Sequence, residues 1–297
     1  MRYITPAFEA TQIASTRTSY IHLLFTSANA GTTYDYSSDQ QGSRILLIDH
    51  SEEQYNDYAI IVLRNNDRTV PNMIGYWTEI GYGYVTTTGN EYVGDGTNTP
   101  GVPRLWIKHQ QLVSAGGRLY TILELEGMMA KAGETVMRKG NPPYYDDLPY
   151  TATVVYDILS AVLTDLGFTL SALGTQDDNI INAYDPVLNI NGDPFETALA
   201  IIERCMRMTK CYLRPKSGLA FEIRYPQTTD EVNESYYSAA PYYFISHTER
   251  TSLIIPNHYI VFANEGTGLI TSEDAYGKDQ DSIDAYGTEV RKLEIAT

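Results

Sequence analysis

DYAIIVLRNNDRTVPNMIGYWTEIGYGY, residues 57–84, decides how the first third of the chain is read. The run 58–65 is apolar and rich in β-branched side chains, and 76–85 mixes aromatic, apolar and glycine residues. Asn65, Asn66, Asp67 and Pro71 lie between them, the residue types that turn a chain. The pattern predicts two strands and a connection. Gly81 and Gly83 stand one residue apart, but no helix follows and the third glycine of a dinucleotide loop is missing. The pair is therefore read as a strand that lets another backbone come close.

Similar runs extend outward from this stretch. Residues 43–50, 104–113 and 118–126 are apolar or alternating, and Ser114–Gly117 reads as a turn. Short strands at this spacing predict a small barrel or sandwich over 1–123. Residues 89–103 carry no core-forming pattern and read as a loop. From about 122 the period changes. Residues 125–133 suggest a short helix ending at Gly133. The run 151–167 places Val154, Ile158, Leu159, Val162, Leu163 and Leu166 on one helical face, with Gly167 at the C-terminal cap and Thr151 or Thr153 at the start. Residues 193–210 read as a helix with Asp193 as N-cap, Pro194 at the first position and Glu196 completing a capping box. Leu199, Ile202, Cys205 and Met206 fall on one face, which is expected to pack on a hairpin over 211–225 turning at 215–218. Residues 231–297 return to strand-like runs. His258–Asn264 repeats the form of Tyr58–Asn65, an apolar run closed by asparagine.

The bulk numbers narrow the function. Hydrophobic residues are 43% of the 297, enough for a folded core. No stretch is long and apolar enough to span a membrane, and the start lacks a signal-peptide core. Net charge is −16, so phosphate-directed nucleic-acid binding is disfavoured. The 25 tyrosines suit half-buried sheets, subunit interfaces or sugar binding. Cys205 and Cys211 are read as reduced and buried.

No catalytic, cofactor or metal residue is assigned. His22, His50, His109, His247 and His258 form no metal-ligating spacing, and no nucleophile elbow is present. Asp146–Asp147 and Asp177–Asp178 have the residue types of a glycosidase pair but read as solvated loops. Glu273, Asp274, Asp279, Asp281 and Asp284 suggest calcium, yet their offsets do not match a calcium loop. That segment, with Asp-Ala-Tyr-Gly at 274–277 and again at 284–287, reads as a polar connection into a strand over 289–295.

Four stretches, in order, resemble the phage tail baseplate hub or tail-tip hub family. Residues 57–84 resemble its first barrel. Residues 193–223 resemble its middle segment, a capped helix followed directly by a hairpin. Residues 253–266 resemble the strand that opens its second barrel, and 281–295 its Ser-Ile-x-x-Tyr-Gly segment. Relatives continue past that segment, whereas this chain stops at Thr297, and loops 86–103 and 134–150 have no counterpart in the pattern. The resemblance implies a β-rich α+β fold: a barrel-like domain over 1–123, a middle α/β domain over 124–230 and a second β domain over 231–297, incomplete at Thr297. Strands 58–65 and 259–264 would hold equivalent places in the two tube-type β domains.

The resemblance further implies a structural, non-enzymatic subunit of a virion tail, assembled in the host cytoplasm. It would form a homotrimeric ring joining the tail tube protein to a spike or central fibre, beside the distal tail and tape measure proteins. DNA would pass through its acidic lumen without specific binding, and no cofactor or stable membrane insertion is implied. A tail-associated cell-wall hydrolase and a carbohydrate-binding β module are the alternatives.

Overall fold

The computed structural model describes residues 3–53, 55–94, 100–137, 154–174, 180–183, 196–225, 258–263, 276–278, 280–286 and 290–295. Contacts divide the chain into two units, Met1–Asp230 and Glu231–Thr297. The first unit contains two hydrophobic cores.

The first core lies inside a nine-stranded antiparallel sheet. A short helix α1 (Pro6–Ile13) precedes β1 (Ser19–Thr26), β2 (Thr33–Ser37), β3 (Ile45–Ser51), β4 (Tyr58–Arg64), β5 (Trp77–Thr78), β6 (Gly81–Thr86), β7 (Gly89–Tyr92), β8 (Leu105–Ala115) and β9 (Arg118–Glu126). β3, β4, β9, β8 and β5 are successive neighbours, and β5 and β6 run in line along β1. β2 covers the other side of β1. Four strand steps would hold β3 and the β5–β6 line about 19 Å apart in a flat sheet, at about 4.8 Å a step. Instead His50 Nδ1 on β3 lies 3.0 Å from Tyr82 Oη on β6, with the rings stacked. The sheet is therefore curled into a half-barrel. It encloses Leu23, Phe25, Ile61, Leu63, Leu105, Ile107, Leu123 and Leu125, each at most 1% exposed.

The sequence pattern predicts β3, β4, β8 and β9 where they occur. The single strand expected over 76–85 is broken at Glu79–Ile80 into β5 and β6. β7 lies in the stretch read as a loop, and α1, β1 and β2 were not expected. β2 is short and polar, and its place is fixed by pairing with β1 and by Tyr36, whose ring meets Phe25 edge-on. Gly116 (φ 57°) and Gly117 (φ 74°) make the tight turn expected between β8 and β9.

The second core is built by α2 (Met128–Glu134), α3 (Val155–Asp165), α4 (Ile180–Ala183), α5 (Ala198–Arg207) and a small sheet of β10 (Thr169–Leu170), β12 (Ala220–Arg224) and β11 (Tyr212–Pro215). α3 ends as its sequence predicts. Gly167 has φ +79°, its amide donates to the Thr164 carbonyl, and Phe168 donates to Leu163. This is a Schellman cap, with Phe168 and Leu163 both buried in the same core. Its N-cap position is Val154, without a side-chain cap; Thr151 and Thr153 lie outside the described residues.

α5 buries Ala198, Ile201, Ile202, Cys205 and Met206 in one core with Leu213, Phe221 and Ile223 of the β11–β12 hairpin. Ile202 and Met206 thus pack as expected, while Leu199 is only half-buried. The helix start needs correction. Thr197 is the N-cap, accepting from the Ala200 amide at 3.3 Å, and Glu196 pairs with Arg204. The Met137 amide donates to Glu196, and Ala198 donates to Thr135. These bonds hold the chain extended up to the cap, so the helix cannot begin at Asp193, which lies outside the described residues. Thr197→Ala should cost about 0.5–2 kcal/mol, seen as a lower denaturation midpoint at unchanged slope. An unchanged midpoint would place the helix start elsewhere.

In the second unit, β13 (His258–Ala263) is flanked by β14 (Tyr276–Lys278), antiparallel, and β15 (Val290–Ile295), parallel. The segment read as a plain polar connection instead holds β14 and a helix, α6 (Gln280–Tyr286). The reason is topological: parallel neighbours need a long crossover, and a helix is its usual form. Gln280 donates to Asp284 one turn on, at 2.7 Å. β4 is antiparallel to both its neighbours, whereas β13 has one parallel neighbour.

Candidate functional site

The two cores of the first unit meet along β8. Leu105 and Ile107 point into the half-barrel, while Trp106 points the other way, 6.4 Å from Phe168 of the helical core. Lys131 covers both rings at 5.1 and 5.2 Å. Beside this wall, Arg104 donates to Gly218 through its amide, and Gly218 donates to Val102. The Arg104 guanidinium reaches Glu79 Oε1 at 2.8 Å and lies 3.5 Å over the Trp77 ring. Glu79 is only 6% exposed. The break between β5 and β6 places this carboxylate at the joint.

A second acid lies nearby in sequence logic but has no such partner. Asp57, directly before β4, is 3% exposed, and neither carboxylate oxygen has a hydrogen-bond partner. Its carbonyl accepts from the Gly127 amide at 2.8 Å. A Cβ on residue 127 would meet Asp57 Cβ at 2.5 Å, so the approach requires glycine. Asp57 lines a cavity of about 260 Å³ with Glu52, Glu53, Pro103, Tyr212, Leu213, Arg214 and Pro215. Burial first, then the charge of Glu52, pushes the Asp57 carboxyl up to about 7; the Glu53 amide favours the anion without being aligned for a hydrogen bond.

The other residues considered from sequence do not converge. His22 stacks between Tyr20 and Tyr92 and pairs with Asp35 at 3.2 Å. His50 meets Tyr82, and His109 lies 4.0 Å from Glu124. Cys205 and Cys211 are free and buried, and burial pushes the Cys205 thiol up to about 12, which leaves it unreactive. Gly83 is the close approach expected: a Cβ there would stand 1.8 Å from the Glu91 carbonyl oxygen. Asp281 and Asp284 lie on α6. Asp146–Asp147, Asp177–Asp178, His247, Glu273, Asp274 and Asp279 lie outside the described residues. Among the described residues no three His, Cys, Asp or Glu side chains converge as a preformed metal site. Sequence reading missed Asp57, Glu79 and Arg104, because nothing in their spacing marks them as buried.

The fold and its joint define a β-rich α+β protein, a curled open sheet set against a helical layer. No protein-family model and no curated protein matches the sequence. Among solved structures, the chain resembles a tail protein from Neisseria meningitidis MC58 at 10% identity and TM-score 0.48, over 94% of this chain and 72% of that one. It resembles prophage tail protein gp18 from Listeria monocytogenes EGD-e at 9% identity and TM-score 0.48, over 93% and 72%. The 43 kDa tail protein of prophage MuSo2 from Shewanella oneidensis gives 13% identity and TM-score 0.49, over 94% and 73%. All three are named as tail proteins, and two of them come from prophages.

Proposed function

We propose that this chain is a structural subunit of a phage tail, placed in the hub or tail-tip ring. The observation that carries the reading is the open edge of the half-barrel. Among the described residues β3 has a strand on one side only, and it exposes Leu46 and Leu47, at 43% and 53%, beside that edge. An edge of this kind invites pairing with another chain, and closed rings remove it. The four sequence stretches that resemble hub proteins support the same reading. Its proposed partners are two further copies of itself, the tail tube, distal tail and tape measure proteins, and a spike or fibre. A net charge of −16 suits a lumen that releases DNA instead of holding it. No catalytic step is assigned to it.

Native mass spectrometry tests the proposal. The expected result is a concentration-dependent trimer that Leu46→Lys with Leu47→Lys reduces to monomer. A wild-type monomer at every concentration would overturn the ring.

A further inference from the structure

Asp57 lies where the half-barrel hands the chain over to the helical core. Its carbonyl accepts at 2.8 Å from Gly127, the single residue between β9 and α2. Gly127 covers the Asp57 side chain so closely that a Cβ there would stand 2.5 Å from Asp57 Cβ. Under that cover both carboxylate oxygens are closed off, with no hydrogen-bond partner, at 3% exposure. Burial of this kind favours the neutral acid, because an anion there has neither water nor a donor. Glu79 is the contrast, a buried acid that is given a guanidinium.

The cover is weakly fastened. α2 has no side-chain cap, and the backbone bond from the Lys131 amide to the Gly127 carbonyl is long, at 3.4 Å. On one side β9 is fixed in the half-barrel by β4 and β8. On the other, Met128, Met129 and Ala132 are buried in the helical core. Gly127 is therefore the soft point between two firm elements.

We propose that Asp57 is a proton-operated latch on this junction: the neutral carboxyl keeps Gly127 closed over it, and loss of the proton opens the junction there. The proton goes to solvent, and the carboxylate gains its water only when the bond from Gly127 to the Asp57 carbonyl breaks and the cover lifts. The charged groups around it leave the anion without support. Glu52 and Glu53, on its own stretch, are acids. Tyr212 and Arg214 of β11 line the adjoining cavity, but Arg214 is directed to Glu222 at 3.6 Å. On β9, Glu126 is paired with Lys108 at 2.7 Å. Burial first, then the charge of Glu52, holds the closed carboxyl up to about 7, against 3.8 for a free one. Opening is therefore rarest near pH 4, rises through the interval and levels off above about pH 7. The inference is independent of the tail role.

Hydrogen exchange of the full chain, read amide by amide by NMR from pH 4 to 8 and corrected for intrinsic rates, tests the latch. The opening constant at Gly127 is expected to rise roughly thirtyfold or more between pH 4 and 7 and then to level off. At neutral pH it should exceed that of Ile61 and Leu63 on β4, which exchange only by global unfolding. Asp57→Asn keeps the shape of the side chain and should leave the Gly127 constant flat across the range. Glu52→Gln with Glu53→Gln, a surface variant, should keep the rise and bring the plateau to lower pH. Circular dichroism verifies that both variants are folded. A Gly127 constant equal to that of the β4 amides at every pH would overturn the proposal, since only global unfolding would then answer to the proton. An equal rise in Asp57→Asn would also overturn it, by assigning the response to another group.

Discussion

Replacing Glu79 by alanine should lower the stability of the first unit by about 3–5 kcal/mol, the cost of leaving one charge of a buried pair alone. Glu79 is 6% exposed, and its Oε1 is held at 2.8 Å by Arg104. Without it, the guanidinium keeps its stack on Trp77 but loses its counter-charge. The guanidinium, 22% exposed, is then left partly desolvated, while the Arg104 backbone stays tied to Gly218 of the β11–β12 turn. The loss should therefore loosen the joint as well as lower the midpoint, seen as faster amide exchange at Val102, Arg104 and Gly218. Glu79→Leu combined with Arg104→Met separates charge from packing. That double variant should recover most of the loss, since well-packed apolar replacements of a buried pair are often neutral. If the double variant is as unstable as the single one, packing and not the unpaired charge governs the joint.

What the sequence made legible follows from how local each cause is. β4 could be read because its apolar run and flanking turn residues lie within ten positions. The end of α3 could be read because Gly167 alone can adopt the left-handed conformation there at little cost. The start of α5 could not. Asp193, Pro194 and Glu196 make a strong local signature, but the bonds from Met137 to Glu196 and from Ala198 to Thr135 decide where the helix begins. Those partners are sixty residues away in sequence, beyond any local pattern. β2 was missed for the same reason. Its Thr33–Ser37 stretch is polar enough to read as loop, and only pairing with β1 makes it a strand.

The site was less legible than the fold. Glu79 and Asp57 carry no marking residue types, and their character comes from burial, which the chain path imposes. Glu79 sits in the break between two strands, where the alternation of 76–85 fails. That failure is the one trace the joint leaves in the sequence. Asp57 leaves none, since an acid before a strand is ordinary and only the approach of Gly127 closes over it.

Asp57→Asn should make the protein more stable than wild type at pH 8, by about 2–4 kcal/mol relative to their difference at pH 4. The sign follows from proton linkage. The carboxyl is pushed up to about 7 in the folded chain, against 3.8 when unfolded. Between those values the folded state holds a proton that the unfolded state has released, so stability falls as pH rises. The penalty is absent well below pH 4, grows through the interval and is complete above about pH 7. At about 1.4 kcal/mol per pH unit the full interval gives about 4, and solvent in the adjoining cavity reduces it toward the lower figure. Glu52, Glu53, Tyr212 and Arg214 face the same cavity. All four are present in both proteins, so the difference isolates residue 57. Urea melts from pH 4 to 9 supply the measurement. A stability gap that stays flat across that range would mean Asp57 is ionised throughout and already neutralised by a partner.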